Sequence, residues 1–281
     1  MPAELLSTRV GSARHAQSHV AISADGLPIH YDVQGNGAIA LVFVHGWCCD
    51  RRYWDRQVEH FGPHYTVVCL DLAGHGVSGR DRTQWTVSAF GQDIVAVVEQ
   101  LGLEQVVLIG HSMGGRWIVE AARRLPTAVI GLVSVDTWAD VEATPTPEQL
   151  RARLAPFRAH FVEAMRTFVR GAFVPTSEPS LVEHVMASMS AASPHIGIGA
   201  AEAAWGSNRQ LREGLQEVTA PKIAINNASF VTTKMEAAQR YGIEVMLTSG
   251  VGHFVMLEEP QTFNRLLDEA VQKCLHARAP Q

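Results

Sequence analysis

Ser112 sits in the run Gly110-His111-Ser112-Met113-Gly114-Gly115, between Val106-Val107-Leu108-Ile109 and the helix-like Arg116-Trp117-Ile118-Val119-Glu120-Ala121-Ala122. A short apolar run rich in β-branched residues reads as a strand buried on both faces, so the serine falls on a strand-to-helix turn. Glycines two residues to either side remove the Cβ atoms that would clash in so sharp a turn, and a strained backbone can then present the hydroxyl. A serine hydroxyl is a weak nucleophile until a base takes its proton, and histidine can take that proton and later return it to a leaving group. His253 is the candidate base, in the glycine-containing turn Ser249-Gly250-Val251-Gly252-His253-Phe254 after the last strand-like run. His45, His75 and His111 also lie in turns near the serine and are expected to shape loops through hydrogen bonds. Attack on an acyl carbon creates an oxyanion that backbone N–H groups can stabilise if they are already in place. The expected donors are the amide of Met113, next to the nucleophile at a helix start, and that of Trp47, in the turn after the strand Ile39 to Val44.

The totals narrow the setting for this chemistry. In 281 residues the chain carries a net charge of −5, 47% hydrophobic and 18% charged residues. That balance is ordinary for a globular domain with a sizeable core, and it offers no basic footprint for nucleic acid. The longest apolar run, Ala38 to Val44, is too short to span a bilayer. The start, residues 1–17, lacks the apolar segment of a secretory signal and reads as a flexible lead-in. Cys48, Cys49, Cys69 and Cys274 have no metal-ligand spacing. Reduced thiols in a cytoplasm are the expectation, with no metal and no cofactor.

The elements that must position these residues alternate. A hairpin over Ser18–Ile22 and Pro28–Val33 turns at Asp25-Gly26; strands follow at Ile39–Val44, Tyr65–Leu70, the stretch before Ser112, and Ile130–Val135, with helical spacing between them. This is an α/β pattern: a mostly parallel central sheet with helices on both faces, its active edge at the carboxyl ends of the strands. From Thr137 to about Val218 strand signals vanish, and helices are expected over Pro147–Arg170, Ser180–Met189 and about Ala200–Leu215. The sheet resumes at Lys222–Asn226, followed by a helix Thr233–Tyr241, a strand Glu244–Thr248 and a closing helix Pro260–Leu275. The expected division is a core of 18–136 and 219–281 with a helical cap, 137–218, inserted over the active edge.

With His45-Gly46-Trp47, Asp71 and Gly74-His75-Gly76, the turn around Ser112, and Gly252-His253-Phe254 before Glu259-Pro260, the chain resembles the α/β-hydrolase fold superfamily, in its cap-bearing branch of small esterases and haloperoxidase-like enzymes. The resemblance runs from Ser18 to Leu275 and implies a serine hydrolase that cleaves a small carboxylic ester through an acyl-enzyme. It also exposes a departure, because the position matched to the usual triad acid is Ala228 and no carboxylate occurs between Lys222 and Lys234. Asp136 ends an apolar run where an ionised side chain needs a partner. It stands at the alternative acid site that some superfamily members use, or it caps the first turn of the insertion; Asp140 is the reserve. Two other readings stay open: a cofactor-independent dioxygenase acting on a heteroaromatic ring, and a binding protein on a hydrolase scaffold. Met113 after the elbow serine, where those dioxygenases carry histidine, favours hydrolysis. Trp138, Phe173, Trp205 and Phe254 read either as apolar pocket walls or as core. The expected partner is a small apolar or aromatic ester, without nucleic acid or membrane; oligomeric state leaves no signal in the sequence.

Overall fold

The computed structural model describes residues 17–228 and 234–277. The lead-in expected over residues 1–17 therefore lies, except for Gln17, outside the described residues. The chain enters through the antiparallel hairpin of β1 (Gln17–Ile22) and β2 (Pro28–Gln34), turning at Asp25-Gly26 as the sequence leads one to expect. Strand β3 (Ala40–Val44) leads into a 3-10 turn, Arg51–Trp54, and helix α1 (Asp55–Phe61). Then come β4 (Thr66–Leu70), α2 (Val87–Gln100), β5 (Val106–His111), α3 (Gly114–Arg124) and β6 (Val129–Val135). Helices α4 (Pro147–Ala159), α5 (Phe161–Ala172), α6 (Pro179–Ser190), α7 (Pro194–Trp205) and α8 (Asn208–Glu217) make up the insertion. Strand β7 (Lys222–Asn227), α9 (Met235–Arg240), β8 (Ile243–Thr248), α10 (Val255–Glu258) and α11 (Pro260–His276) complete the fold.

The strands form one eight-stranded sheet in the order β1-β2-β4-β3-β5-β6-β7-β8. Pairing is antiparallel up to β4 and parallel from there on. Every residue of β3, β5 and β6 is buried, which is why these strands read as unbroken apolar runs. Parallel register brings Val44 beside Gly110 and His111 beside Val135, so the carboxyl ends of β3, β5 and β6 open onto one edge.

Two helices expected to be continuous are broken. The Pro147–Arg170 pattern is interrupted at His160, whose non-helical backbone (φ −146°, ψ 76°) separates α4 from α5. The Ala200–Leu215 pattern is interrupted at Gly206-Ser207, where the Ser207 hydroxyl donates to the Ala204 carbonyl at 2.8 Å. Helix α4 opens on a capping box formed by Thr146 and Gln149. Below the sheet edge, Arg82 is buried between two carboxylates: Nη2 donates to Asp93 at 2.6 Å and Nε to Asp25 at 2.6 Å, tying the β1–β2 turn to α2. Among the described residues no helix is long and apolar enough to cross a membrane. All four cysteines are free and buried.

Candidate active site

The end of β5 delivers Ser112 in the left-handed region, φ 52°, half-buried, with its amide donating to the Val135 carbonyl at 2.9 Å. A serine there is strained, and strain of this kind persists only where its surroundings over-determine it. The flanking glycines supply the room. A Cβ on Gly110 would lie 2.5 Å from the Gly114 carbonyl, and one on Gly114 2.6 Å from the Val44 carbonyl. Met113 then begins α3 without a side-chain cap. Among the described residues no hydrogen bond engages the amide of Met113 or that of Trp47. Free amides at a helix start are ready anion donors. Gly46, just before Trp47, closes against the serine turn: a Cβ there would sit 2.7 Å from His111 Nδ1 and 3.3 Å from the Ser112 Cβ.

The ends of β6, β7 and β8 deliver the other groups. Asp136 also takes a left-handed backbone, φ 49°, and its side chain is fully buried. His253 Nδ1 donates to Asp136 Oδ2 at 2.5 Å, while Asp136 Oδ1 accepts from the Asn227 amide at 2.9 Å. The Asn227 side chain donates in turn to the Gly252 carbonyl at 3.1 Å, and Asn226 Oδ1 accepts from the Thr137 amide at 3.1 Å. The acid and the histidine loop are thus stitched together through β7. His111 reaches the same loop: its Nε2 donates to the His253 carbonyl at 2.9 Å, and the two rings pack 4.7 Å apart. Burial, and then the neighbouring His253, push the pKa of His111 well below the ordinary histidine value. It is therefore a neutral imidazole fixed as the Nε2–H tautomer. His45 donates from Nδ1 to the Gly46 carbonyl at 2.8 Å and accepts the Leu72 amide at Nε2 at 3.1 Å. His75 donates to the Ala73 carbonyl at 3.0 Å. All three shape loops, as their turn positions lead one to expect.

The cap touches the histidine loop directly. The His253 amide donates to the carbonyl of Ala172, at the end of α5, at 2.6 Å. Glu258 accepts from the Gly252 amide at 2.9 Å and from the Phe254 amide at 3.3 Å, and its other oxygen accepts from the Ser177 hydroxyl at 2.6 Å. One carboxylate therefore clamps the loop carrying His253 to the loop that follows α5.

The remaining sequence candidates are distributed around this centre. Asp140 does not reach His253; it pairs with Lys234 at 2.7 Å, and that partner holds its carboxyl below the usual range. Ala228, at the end of β7, is exposed, and its amide donates to the Thr248 carbonyl. The Trp138 indole is buried and donates to the Gly115 carbonyl at 2.9 Å. Phe254 is buried and stacks on Phe173 at 5.2 Å. Trp205 meets the Trp47 ring edge-on at 5.4 Å, within a cluster that includes Phe157 and Phe168. The Trp47 indole itself donates to the Gly197 carbonyl at 2.8 Å, so the cap seizes the ring.

Among the described residues, two large cavities lie between core and cap, and neither is lined by Ser112 or His253. One, of about 630 Å³, lies under α6 and includes Cys48, Arg51 and His75. The other, of about 650 Å³, lies between α3 and the cap and includes Arg116, Arg153 and Trp205. Among the described residues no group of three or more His, Cys, Asp or Glu side chains could hold a metal ion. Sequence reasoning missed Glu258, because its contacts lie four to six residues back along an irregular loop where no fixed spacing announces them. Nor does its place in the sequence show that Arg116, which reads as an ordinary charge on a helix face, lines one of these cavities.

A family model described as the alpha/beta hydrolase fold matches residues 39–212. Over 266 residues the chain is 26% identical to 3-oxoadipate enol-lactonase 2 of Acinetobacter baylyi, covering 90% of this chain and 96% of that one. Over 125 residues it is 30% identical to the dihydrolipoyllysine-residue acetyltransferase component of the acetoin cleaving system of Cupriavidus necator, covering 44% of this chain and 33% of that one. Of other curated relatives it spans about half the length or less, as with the 55% covered of a non-heme chloroperoxidase of Streptomyces lividans. A solved thermophilic esterase from Thermogutta terrifontis superposes with a TM-score of 0.80 at 22% identity, over 92% of this chain and 99% of that one.

Proposed function

Because the chain belongs to the alpha/beta hydrolase fold family, we propose that it falls in the cap-bearing esterase and haloperoxidase-like branch and is a serine hydrolase that cleaves a small carboxylic ester. The observation that carries this reading is the 2.5 Å contact between His253 Nδ1 and Asp136, beside a serine held at φ 52°. In the proposed mechanism Asp136 accepts the Nδ1–H, fixes the tautomer, and leaves Nε2 to take the Ser112 proton as Oγ attacks the acyl carbon. The tetrahedral oxyanion is received by the Trp47 and Met113 amides. Its collapse breaks the bond to the alcohol, which leaves with the proton held on His253. Water then repeats the sequence on the acyl-enzyme and releases the acid. The core would comprise residues 18–136 and 219–281, with 137–218 as the cap over the edge.

In this reading Asp136 takes up the role left open at Ala228, and its contact with His253 favours turnover over a scaffold without it. A likeness of 26% to an enol-lactonase over nearly the full length supports an ester or lactone as substrate. The test is a panel of p-nitrophenyl esters of increasing chain length, together with a serine-reactive phosphonate read by mass spectrometry. Turnover with an adduct on Ser112, both lost in Ser112→Ala, is the expected result; a variant that keeps the wild-type rate would refute the nucleophile.

A further inference from the structure

We propose that Arg116 and Arg153 form a carboxylate subsite, so that the favoured substrate carries a free carboxylate at the end remote from the scissile bond; this rests on the hydrolase reading. Arg116 lies in the first turn of α3, about 5 Å along the helix axis from its start next to Ser112. Its Nη1 has no exposed surface and no hydrogen-bond partner. Arg153, on α4, lines the same cavity of about 650 Å³ and holds its guanidinium 3.9 Å above the Trp205 ring. Among the described residues neither guanidinium has a carboxylate partner. The cavity wall contains one acid, Asp140, and that is engaged by Lys234 at 2.7 Å.

The contrast with Arg82 is instructive. That buried arginine is satisfied by two carboxylates, as a charge taken out of water has to be. At Arg116 burial, and then the like charge of Arg153, pull the pKa down to about 10. Two forked donors facing one cavity without a counter-ion are a receptor for a planar anion, which accepts bidentate hydrogen bonds. The floor is apolar, formed by Trp205 and Leu150, and suits the methylene chain of a short diacid monoester. Trp205 also touches Trp47, whose amide is the proposed oxyanion donor. The cavity is thereby joined to the reacting centre by a ring contact on one side and by the first turn of α3 on the other.

The test compares p-nitrophenyl hydrogen glutarate with p-nitrophenyl pentanoate, which have equal acyl length but differ in charge. In the wild type the ratio of kcat/KM, charged over neutral, should exceed about ten, and it should fall by about tenfold or more in Arg116→Gln and in Arg153→Gln, mainly through KM. Arg116→Lys should keep part of the preference. Arg153 is exposed, so its variant tests the idea even if Arg116→Gln fails to fold. Glutarate alone is titrated in parallel into Ser112→Ala, read by tryptophan fluorescence and Tm, and should protect that variant as it protects the wild type. A ratio near one in the wild type, a ratio unchanged in both variants, or protection by inorganic phosphate but not by glutarate would overturn the subsite. If neither ester is cleaved while glutarate still binds in an arginine-dependent way, the hydrolase reading falls and the subsite stands.

Discussion

Asp136 is held by its backbone before it meets any partner: at φ 49° a non-glycine residue is strained, and the Asn227 amide fixes one carboxylate oxygen while His253 takes the other. In the proposed mechanism the oxygen that faces His253 sets the tautomer of the base and stabilises the imidazolium formed during attack. Asp136→Asn should then lower kcat by up to about 10⁴-fold, as for an orienting aspartate in a serine-protease triad. KM should change little, because the side chain is fully buried. Steady-state kinetics on a p-nitrophenyl ester would decide, and a kcat within a few fold of wild type would move the search to Asn227. That Ser112, Asp136 and His253 share one edge of the sheet was legible in the sequence, because each closely follows a strand-like run and strand ends in a parallel sheet converge. Glu258 and Arg116 were not legible. Their surroundings are set partly by what the cap brings against them, and cap contacts leave no period in the chain.

The cap is coupled to His253, the proposed base, through elements, not through the sheet. Helix α5 ends at Ala172, whose carbonyl accepts the His253 amide, and Glu258 at the end of α10 holds two further amides of the same loop together with the Ser177 hydroxyl. Removing that carboxylate loosens the loop without touching the reacting atoms. Glu258→Ala should lower kcat by about 10²-fold, the usual consequence of an ångström of misplacement, and Glu258→Gln should recover part of it. Equal rates in the wild type and Glu258→Ala would show that the loop holds itself. The same logic explains what the sequence misjudged in the insertion. Helical period is legible wherever one face is buried, but the breaks at His160 and Gly206-Ser207 answer to packing between helices. Both flanks of each break still carry helix-forming residues, so the pattern runs through it.

At the scale of the whole molecule, three buried imidazoles make stability sensitive to mild acid. Burial, and then the neighbouring His45, push the pKa of His75 down to about 3. Burial does most of the same for His111 and His45, with the Asp71 charge opposing it at His45. Unfolded, each would titrate near 6.5. The folded state thus binds fewer protons than the unfolded state below that pH. Stability is fully present above about pH 6.5 and is lost as pH falls toward the folded values, at His75 by about 1.4 kcal/mol per pH unit once the unfolded form is charged. Urea unfolding at pH 7.5 and 5.5 should show a lower midpoint at the acid value, and identical midpoints would mean that these rings take up protons without unfolding. The hydrogen bond between Ala172 and His253 acts in both directions. Coupling between two sites is reciprocal as a matter of thermodynamics: a cap that fixes the imidazole is itself fixed by it. Loss of Glu258 should therefore speed amide hydrogen exchange at residues 172–177 as well as slow turnover, so that the mobility of the lid and the readiness of the base are two readings of one equilibrium.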